Sequence, residues 1–230
     1  MNNAGSTILE IDHRLVEMYG TRSWSPRYNP LDEFIYTILS QNTTDINSLR
    51  AFERLRQKFP CWEDLIDASL PEIEEPISVG GLSAAKAVWI RDALKRIRDE
   101  RGELSLDFVC TMDLQQAWNY LISFKGVGVK TAAIVLLFSC GRPFFPVDTH
   151  VYRVSWRLGL VERKGGPEQA HRLLQEMIPP ELYYQMHINM VQHGRQVCRA
   201  RNPLCFKCLL RSLCRYYLEV LHAKRVEDVH

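Results

Sequence analysis

The sequence lacks a long apolar run: its longest, such as Ala132–Phe138, hold about seven residues. A membrane-spanning helix needs about 20, so no membrane association is expected. Residues 1–20 contain no apolar run after a basic head, so no secretory signal is recognisable. These absences predict an intracellular, cytoplasmic protein. A reducing compartment disfavours disulfides, so the seven cysteines need another explanation.

A strong imbalance of charge is also lacking: the sequence contains 29 Lys and Arg residues and 27 Asp and Glu residues, which gives a formal net charge of +2. Total charge therefore does not indicate a nucleic-acid partner. Its distribution is uneven, because residues 191–215 contain six basic side chains and no acidic one. A basic patch can bind a phosphate backbone, but charge alone favours an ordinary solvated surface. The six residues are Arg195, Arg199, Arg201, Lys207, Arg211 and Arg215.

The alternation typical of β-strands is missing, and apolar residues recur at helical spacing instead. For example, Phe34, Ile35 and Ile38 share one side of a helix that follows the start signal Asn29-Pro30. We therefore predict an all-α protein. The predicted helices are Leu31–Gln41, Asp45–Phe59, Ser83–Arg98, Leu114–Phe124, Val129–Cys140, Val147–Leu158, Pro167–Met177 and Glu181–His193.

Four cysteines lie close together, in the pattern Cys198-x6-Cys205-x2-Cys208-x5-Cys214. The residues between them are too polar for a core segment, and four nearby thiolates suit one soft metal centre. Zinc sites more often use two close pairs of ligands, so the spacing favours an iron–sulfur centre slightly and leaves zinc open. The other three have apolar neighbours and are interpreted as small core residues. They are Cys61, Cys110 and Cys140.

A glycine-rich turn, Lys125-Gly126-Val127-Gly128, separates two of the predicted helices. Glycines at alternate positions allow a tight turn that presents backbone N–H groups at a helix start, where phosphate oxygens bind. By itself such a turn is more often a plain connector. Lys130 follows the turn, and Asp148 precedes a later helix, where an Asp is most often an N-cap.

The order of these features resembles the endonuclease III branch of the helix-hairpin-helix glycosylase superfamily. Residues 127–132 (Val-Gly-Val-Lys-Thr-Ala) and 147–150 (Val-Asp-Thr-His) are similar to that family's two catalytic segments, and the cysteine spacing is similar to its [4Fe–4S] motif. Residues 38–45 resemble its early helix end. Gly81-Leu82, followed by Lys86-Ala87, resembles its intercalating loop. The resemblance covers nearly the whole chain.

The resemblance implies a fold of two helical lobes. A six-helix barrel that contains the hairpin is expected over residues 26–135. A second helical lobe, which holds the cluster, is expected from residues 1–25 and 136–216. Residues 217–230 are expected to form a C-terminal tail, and the last eight of them are largely polar.

The implied activity is that of a bifunctional DNA glycosylase and abasic-site (AP) lyase of base-excision repair. The expected partner is double-stranded DNA with damaged bases or abasic sites, bound by a monomer at the nucleoid. Lys130 is implied as the nucleophile that forms a Schiff base with the sugar, and Asp148 as the carboxylate that stabilises the oxocarbenium-like state. The implied cluster ligands are Cys198, Cys205, Cys208 and Cys214. The implied DNA contacts are Gln41, Asn42, Leu82, Lys125, Gly126, Gly128 and Arg199.

The sequence departs from the family at the early helix end, because Asn42 stands where the family usually has a glutamine that fills the duplex. Opposite-base preference is therefore open, and oxidised pyrimidines such as thymine glycol are the expected substrates. A thymine or uracil mismatch glycosylase remains an alternative. An adenine glycosylase is disfavoured by Thr37 and Lys130. A non-catalytic DNA-binding module and a zinc-binding interaction protein are the alternatives from other classes.

Overall fold

The computed structural model describes residues 3–222 of the chain, and the side chains of residues 5–219. This part of the chain is helical and contains no β-strand, which confirms the predicted all-α class. The α-helices are α1 (Asn3–Tyr19), α2 (Pro30–Leu39), α3 (Asp45–Lys58), α4 (Trp62–Asp67), α5 (Leu70–Ile77), α6 (Ser83–Arg101), α7 (Leu114–Ile122), α8 (Val129–Cys140), α9 (Thr149–Leu158), α10 (Gly166–Met177) and α11 (Tyr183–Gln196). None of these helices is both long and apolar enough to cross a bilayer.

The chain divides into two compact units, one of residues 25–142 and one that joins residues up to 24 with those from 143 onward. The boundary expected at residue 135 falls inside α8. The structure keeps α8 whole within the first unit because this helix packs mainly against α2. The first unit thus holds seven helices, α2 to α8.

The core of the first unit lies between α2 and α8. Asn29 caps α2 by accepting a hydrogen bond from the backbone N–H of Asp32 at 2.9 Å, which directs the apolar side of the helix inward. Phe34 is buried there, with its ring centroid 5.3 Å from that of Phe124. Burial of each such side chain contributes about 1.5–3 kcal/mol. The hairpin that follows Phe124 is therefore anchored in the core.

Helices α4 and α5 were not predicted from the sequence. They lie in an acidic stretch that has little periodicity, and α5 contains Pro76. Ser69 and Glu72 form a capping box at the start of α5, which satisfies N–H groups that the short helix leaves open. Ile73 and Ile77 face the core and are fully buried.

The interpretation of the three scattered cysteines was wrong. Cys110 and Cys140 form a disulfide with a Cα–Cα distance of 4.9 Å. The packing of α7 and α8 around the short 3₁₀ turn that ends at Cys110 places the two cysteines side by side, although they lie 30 positions apart in sequence. Cys61 is exposed, because it lies before the first turn of α4 rather than on its apolar face.

The second unit contains α1 and α9 to α11, followed by the cysteine-rich loop. Its core lies where α9 packs on α11, with Val151, Val154, Met186 and Met190 buried. The C-terminal tail was expected to begin at residue 217. Instead, Tyr217–His222 form a π-helical segment, and the expected polar residues 223–230 lie outside the described residues.

Candidate functional site

The glycine turn forms a tight hairpin between α7 and α8, in which the N–H of Val127 donates to the carbonyl of Phe124 at 3.1 Å. Gly126 has a φ of +80°, and a Cβ atom there would lie 2.5 Å from Cδ2 of Trp89. Real Cβ atoms essentially never come closer than 3.0 Å. Only glycine fits at this position, because the hairpin lies directly on the indole ring.

Gly128 has a different environment. It is the N-cap of α8, with an extended backbone at φ −104° that any residue can adopt. A Cβ atom there would meet nothing within 4 Å. Neither backbone nor packing therefore requires glycine, but the absent side chain leaves the start of α8 open. The first N–H groups of a helix lack partners within it and carry partial positive charge, so this end suits an anion.

Lysines flank the open helix end. Lys125 is exposed on the hairpin, and Lys130 is the second residue of α8 and half-buried. The neighbouring Thr131 is buried, so the first turn of α8 is held against the core. The structure thus places Lys125 on the hairpin and Lys130 in the first turn of the helix that follows it.

Gln41 connects the end of α2 to the hairpin. Its side-chain amide donates to the carbonyl of Gly126 at 2.8 Å and lies 3.3 Å from the Thr131 hydroxyl. Asn42, the next residue, is exposed and has a left-handed backbone with φ +52°. Of the two amides proposed to contact DNA, Gln41 therefore braces the hairpin and Asn42 faces solvent.

Leu82 lies at the tip of the turn before α6. Its side chain is 53% exposed and its backbone has φ +52°, which is uncommon for a leucine. Its carbonyl accepts the first hydrogen bond of α6, from the N–H of Lys86 at 3.0 Å. The structure thus presents a large apolar side chain to solvent on an ordered turn. An ordinary core position for this leucine is excluded.

Asp148 belongs to the second unit, whereas Lys130 belongs to the first. The Oδ1 atom of Asp148 accepts hydrogen bonds from the backbone N–H groups of His150 at 2.8 Å and Val151 at 2.7 Å. The carboxylate therefore caps α9. His187 contacts the carbonyl of Pro146 through Nδ1 at 2.9 Å, which holds the segment that leads to Asp148.

The four clustered cysteines line one cavity of the second unit. Its walls include apolar side chains such as Val154 and Leu158, and it also borders Arg157 and His193. Among the described residues, no group of three or more His, Cys, Asp or Glu side chains has the geometry to hold a metal ion. The cysteines at this cavity are Cys198, Cys205, Cys208 and Cys214.

Two arginines of α9 hold the start of the cysteine loop. Arg153 donates to the carbonyl of Cys198 at 2.9 Å. Arg157, which is buried, donates to the Cys198 sulfur at 3.3 Å and to the carbonyl of Arg199 at 2.7 Å. Neither arginine was predicted from the sequence as a site residue, although their i, i+4 spacing places them on one side of α9. Helix α9 therefore carries both the Asp148 cap and the support of the loop.

His193 contacts the cysteine loop from α11. Its Nε2 lies 3.5 Å from the Cys208 sulfur, and its Nδ1 lies 2.9 Å from the hydroxyl of Tyr19. Burial lowers the pKa of His193 to about 4, so its ring is neutral near pH 7. Burial, with a smaller contribution from the neighbouring cysteines, raises the pKa of Cys208 to about 12, although a hydrogen bond with the backbone of Leu210 acts in the opposite direction. The thiol therefore needs a cation nearby to become a thiolate ligand.

The basic residues of the cysteine region are mostly exposed. Arg199, Arg201, Lys207 and Arg211 all face solvent. Arg215 pairs with Glu162 at 2.9 Å, so its charge is neutralised locally. The basic side chains of this segment are thus largely exposed to solvent, and the charge of Arg215 is offset by Glu162.

Comparisons with known proteins agree with this arrangement. The family described as "HhH-GPD superfamily base excision DNA repair protein" matches residues 35–180. A putative DNA glycosylase of Arabidopsis thaliana is 39% identical over 165 residues, which are 72% of this chain and 56% of that protein. Endonuclease III of Sulfolobus acidocaldarius is 34% identical over 83% of this chain and 84% of its own length. The protein of a non-covalent endonuclease III–DNA complex has a TM-score of 0.82, with 29% identity over 96% of this chain and all of that one.

Proposed function

Because the chain belongs to the HhH-GPD superfamily of base excision DNA repair proteins, and to its endonuclease III branch, we propose that it removes damaged bases from double-stranded DNA and then cleaves the strand at the abasic site. The observation that carries the proposal is the start of α8. There, Gly128 leaves the helix end open beside Lys130. An anion-binding end next to a primary amine suits a sugar–phosphate backbone with a reactive sugar carbon.

The hairpin binds a phosphate next to the damaged nucleotide. The N–H groups at the start of α8 donate hydrogen bonds to the phosphate oxygens, and Lys125 adds a positive charge at the exposed turn. Arg199 and the exposed basic residues near it contact phosphates farther along the strand. These contacts position the duplex without reading its sequence.

Removal of a base from a duplex requires that the nucleotide leave the helix, which costs a few kcal/mol of unstacking. Leu82 fills the gap in the stack, because its exposed side chain lies on an ordered turn. Asn42 contacts the unpaired base opposite. Its side chain is one methylene shorter than that of the glutamine usual in the family, so its opposite-base preference would differ from the family norm.

Lys130 and Asp148 divide the chemistry. As the glycosidic bond breaks, positive charge develops on the sugar, and the carboxylate of Asp148 stabilises it. The Lys130 nitrogen forms a bond to C1′ while the base leaves with the electron pair of its bond. The nitrogen then gives up a proton, and the C1′–O4′ bond breaks as O4′ takes up a proton, which opens the ring and gives the protonated imine. The C2′ proton is then lost and the C3′–O bond breaks, so the 3′ phosphate leaves.

Four thiols line the cavity of the second unit, which is the number of cysteine ligands that a [4Fe–4S] cluster takes, and such a cluster does not require three ligands on one metal ion. Arg157 donates a hydrogen bond to one of these sulfurs, so the residues present suit this group. Cys198, Cys205, Cys208 and Cys214 would hold it. When bound, the cluster would cross-link the loop and supply the charge that keeps the four sulfurs ionised. The chain's own contribution is to brace this loop from α9, which orders the segment containing Arg199.

Oxidised pyrimidines are the proposed substrates, and the protein acts as a monomer on chromosomal DNA inside the cell. The Cys110–Cys140 bridge would then be an exception to the scarcity of disulfides in reducing compartments. A thymine or uracil mismatch glycosylase is the alternative activity. Thr37, where the adenine-specific branch has a glutamate, is buried and donates to Glu33, so it is not available to a substrate.

Borohydride trapping tests the proposal, because it reduces the imine to a stable covalent complex. The protein is incubated with duplexes that contain thymine glycol, an abasic site, a G·T mismatch or no damage. We expect trapping with thymine glycol and with the abasic site. Lys130→Ala should abolish it, whereas Lys125→Ala, which removes a nearby exposed lysine, should weaken DNA binding and retain trapping.

Each other outcome has a definite meaning. Trapping on the abasic site alone would keep the lyase and reject oxidised pyrimidines as substrates. Base release from the G·T duplex without trapping would favour the mismatch glycosylase. A full yield of complex with Lys130→Ala would reject Lys130 as the nucleophile, and the absence of any complex or base release would reduce the protein to a DNA-binding module.

A further inference from the structure

Lys86 is a fully buried lysine on the first turns of α6. Its ammonium donates to three backbone carbonyls, those of Leu39 at 2.8 Å, Gln41 at 2.7 Å and Gly80 at 3.0 Å. An ammonium has three hydrogens to donate. Every donor of this buried group is therefore used, and every acceptor is main chain.

Packing alone does not account for a lysine at this position. Lysine is almost never fully buried unless it is paired, because the charged form loses its hydration. Burial accordingly lowers the pKa of Lys86 to about 8. The adjacent Ala87 and Ile90 show that this side of α6 otherwise packs with apolar side chains. What the lysine adds is a connection between segments that α6 alone does not join.

The three carbonyls come from two separate segments. Leu39 is the last residue of α2, and Gln41, two residues later, leads directly to Asn42. Gly80 leads to Gly81 and Leu82. Both segments end in an exposed residue with a left-handed backbone. The side chain of Gln41 extends the connection to the hairpin, through its hydrogen bond to the Gly126 carbonyl.

We propose that Lys86 is a positioning residue for lesion recognition, which holds the Asn42 and Leu82 turns at the separation needed to enter the duplex together. The inference rests on the proposed function, because it assigns both turns to the DNA interface. Without the ammonium, three carbonyls lose their donor, and the two turns are left with the packing of α3 on the 3₁₀ turn Ser78–Gly80 and with the close approach of Gly81 to the Asn42 carbonyl. Packing of this kind is less directional than hydrogen bonds, so both turns would become more mobile and the duplex would have to order them.

Lys86→Met tests the proposal, since methionine keeps most of the volume and removes every donor. Ile90→Ala is the matched control, because it leaves a cavity at a fully buried position of the same helix and keeps the ammonium. The first measurement is hydrogen–deuterium exchange of the free proteins. In Lys86→Met, amide exchange should rise at residues 40–45 and 79–84. In Ile90→Ala, any rise in exchange should not be concentrated in these two segments. Lys86→Gln, with two donors, should give a smaller change and replaces Lys86→Met if that variant does not fold.

The second measurement is the ratio of affinities for a duplex with a tetrahydrofuran abasic analogue and for the undamaged duplex. Lys86→Met should lower this ratio by roughly tenfold or more, as expected when a binding group is displaced by about an ångström, and Ile90→Ala should preserve it. Unchanged exchange in both turns, or an unchanged ratio, would overturn the proposal and leave Lys86 a purely stabilising residue. If the unmodified protein does not discriminate between the duplexes, the proposed function fails, and the exchange data still decide whether Lys86 joins the turns.

Discussion

Alanine at the two hairpin glycines should have opposite effects. Gly126→Ala forces a side chain into a left-handed backbone with φ +80°, which costs about 1–2 kcal/mol. It also places a Cβ atom 2.5 Å from the Trp89 ring, and overpacking of this kind costs about 1–3 kcal/mol. Together these give a loss of about 2–5 kcal/mol. In a chain of this size the melting temperature should fall by roughly 4–20 °C.

Gly128→Ala has neither of these costs. Its backbone is extended and its Cβ would meet nothing within 4 Å, so stability should stay equal or rise by about 0.4–1 kcal/mol. DNA affinity should nevertheless fall, because the new methyl group lies where a phosphate approaches the start of α8. The pair therefore separates a glycine required by the fold from a glycine required by the ligand.

Thermal melting and DNA titration of both variants test this prediction. A double-mutant cycle with Trp89→Ala isolates the overlap, because removal of the ring should relieve about 1–3 kcal/mol of the Gly126→Ala penalty. Two results would refute the reasoning. One is a coupling energy near zero between positions 89 and 126. The other is a stable Gly128→Ala variant that binds abasic duplex as tightly as the unmodified protein.

Three further predictions follow from other parts of the molecule. Asp148→Asn should keep the melting temperature, since Asn caps helices as well as Asp does. It should slow base release by roughly 100-fold or more, because the negative charge is lost. An unchanged rate of base release in single-turnover kinetics would contradict this prediction. Cys140→Ser should lower the free energy of unfolding by about 2–4 kcal/mol, because the bridge to Cys110 closes a loop of 30 positions. Dithiothreitol should lower the melting temperature of the unmodified protein and leave that of the variant unchanged. Burial lowers the pKa of His171 from 6.5 to about 4, so between these pH values the unfolded chain binds a proton that the folded chain does not. The free energy of unfolding should therefore fall as the pH drops from 6.5 towards 4. Melting curves of His171→Gln should show a weaker dependence of the melting temperature on pH over this window.

Helices with a strong apolar side could be predicted from the sequence, in one case to the residue. The predicted bounds of α8, Val129–Cys140, are those of the structure. The start of α9 was placed at Val147, two residues early, because the helix begins only where the Asp148 side chain caps it. Short α4 and α5 gave no such signal. Their buried residues are few, and α5 contains Pro76, a residue type that disfavours the interior of a helix.

Site residues that belong to a sequence motif could be predicted, whereas those brought together only by packing could not. The hairpin glycines and the clustered cysteines stand out as patterns in the sequence. The three contacts of Lys86 do not, because a lysine on an amphipathic helix is ordinarily exposed. The Cys110–Cys140 pair is similar, since its two members meet only through the packing of α8 against the turn at residues 107–110.

The left-handed backbones of Asn42 and Leu82 have a consequence for how this protein can evolve. Conformations of this kind cost of order 1–3 kcal/mol for residues other than glycine. This cost lowers the free energy of unfolding, and DNA binding does not have to supply it. Glycine at either position should raise thermal stability, and it would remove the side chain proposed to enter the duplex. Under the proposed function, selection for heat resistance and selection for damage recognition would therefore act in opposite directions at these two positions.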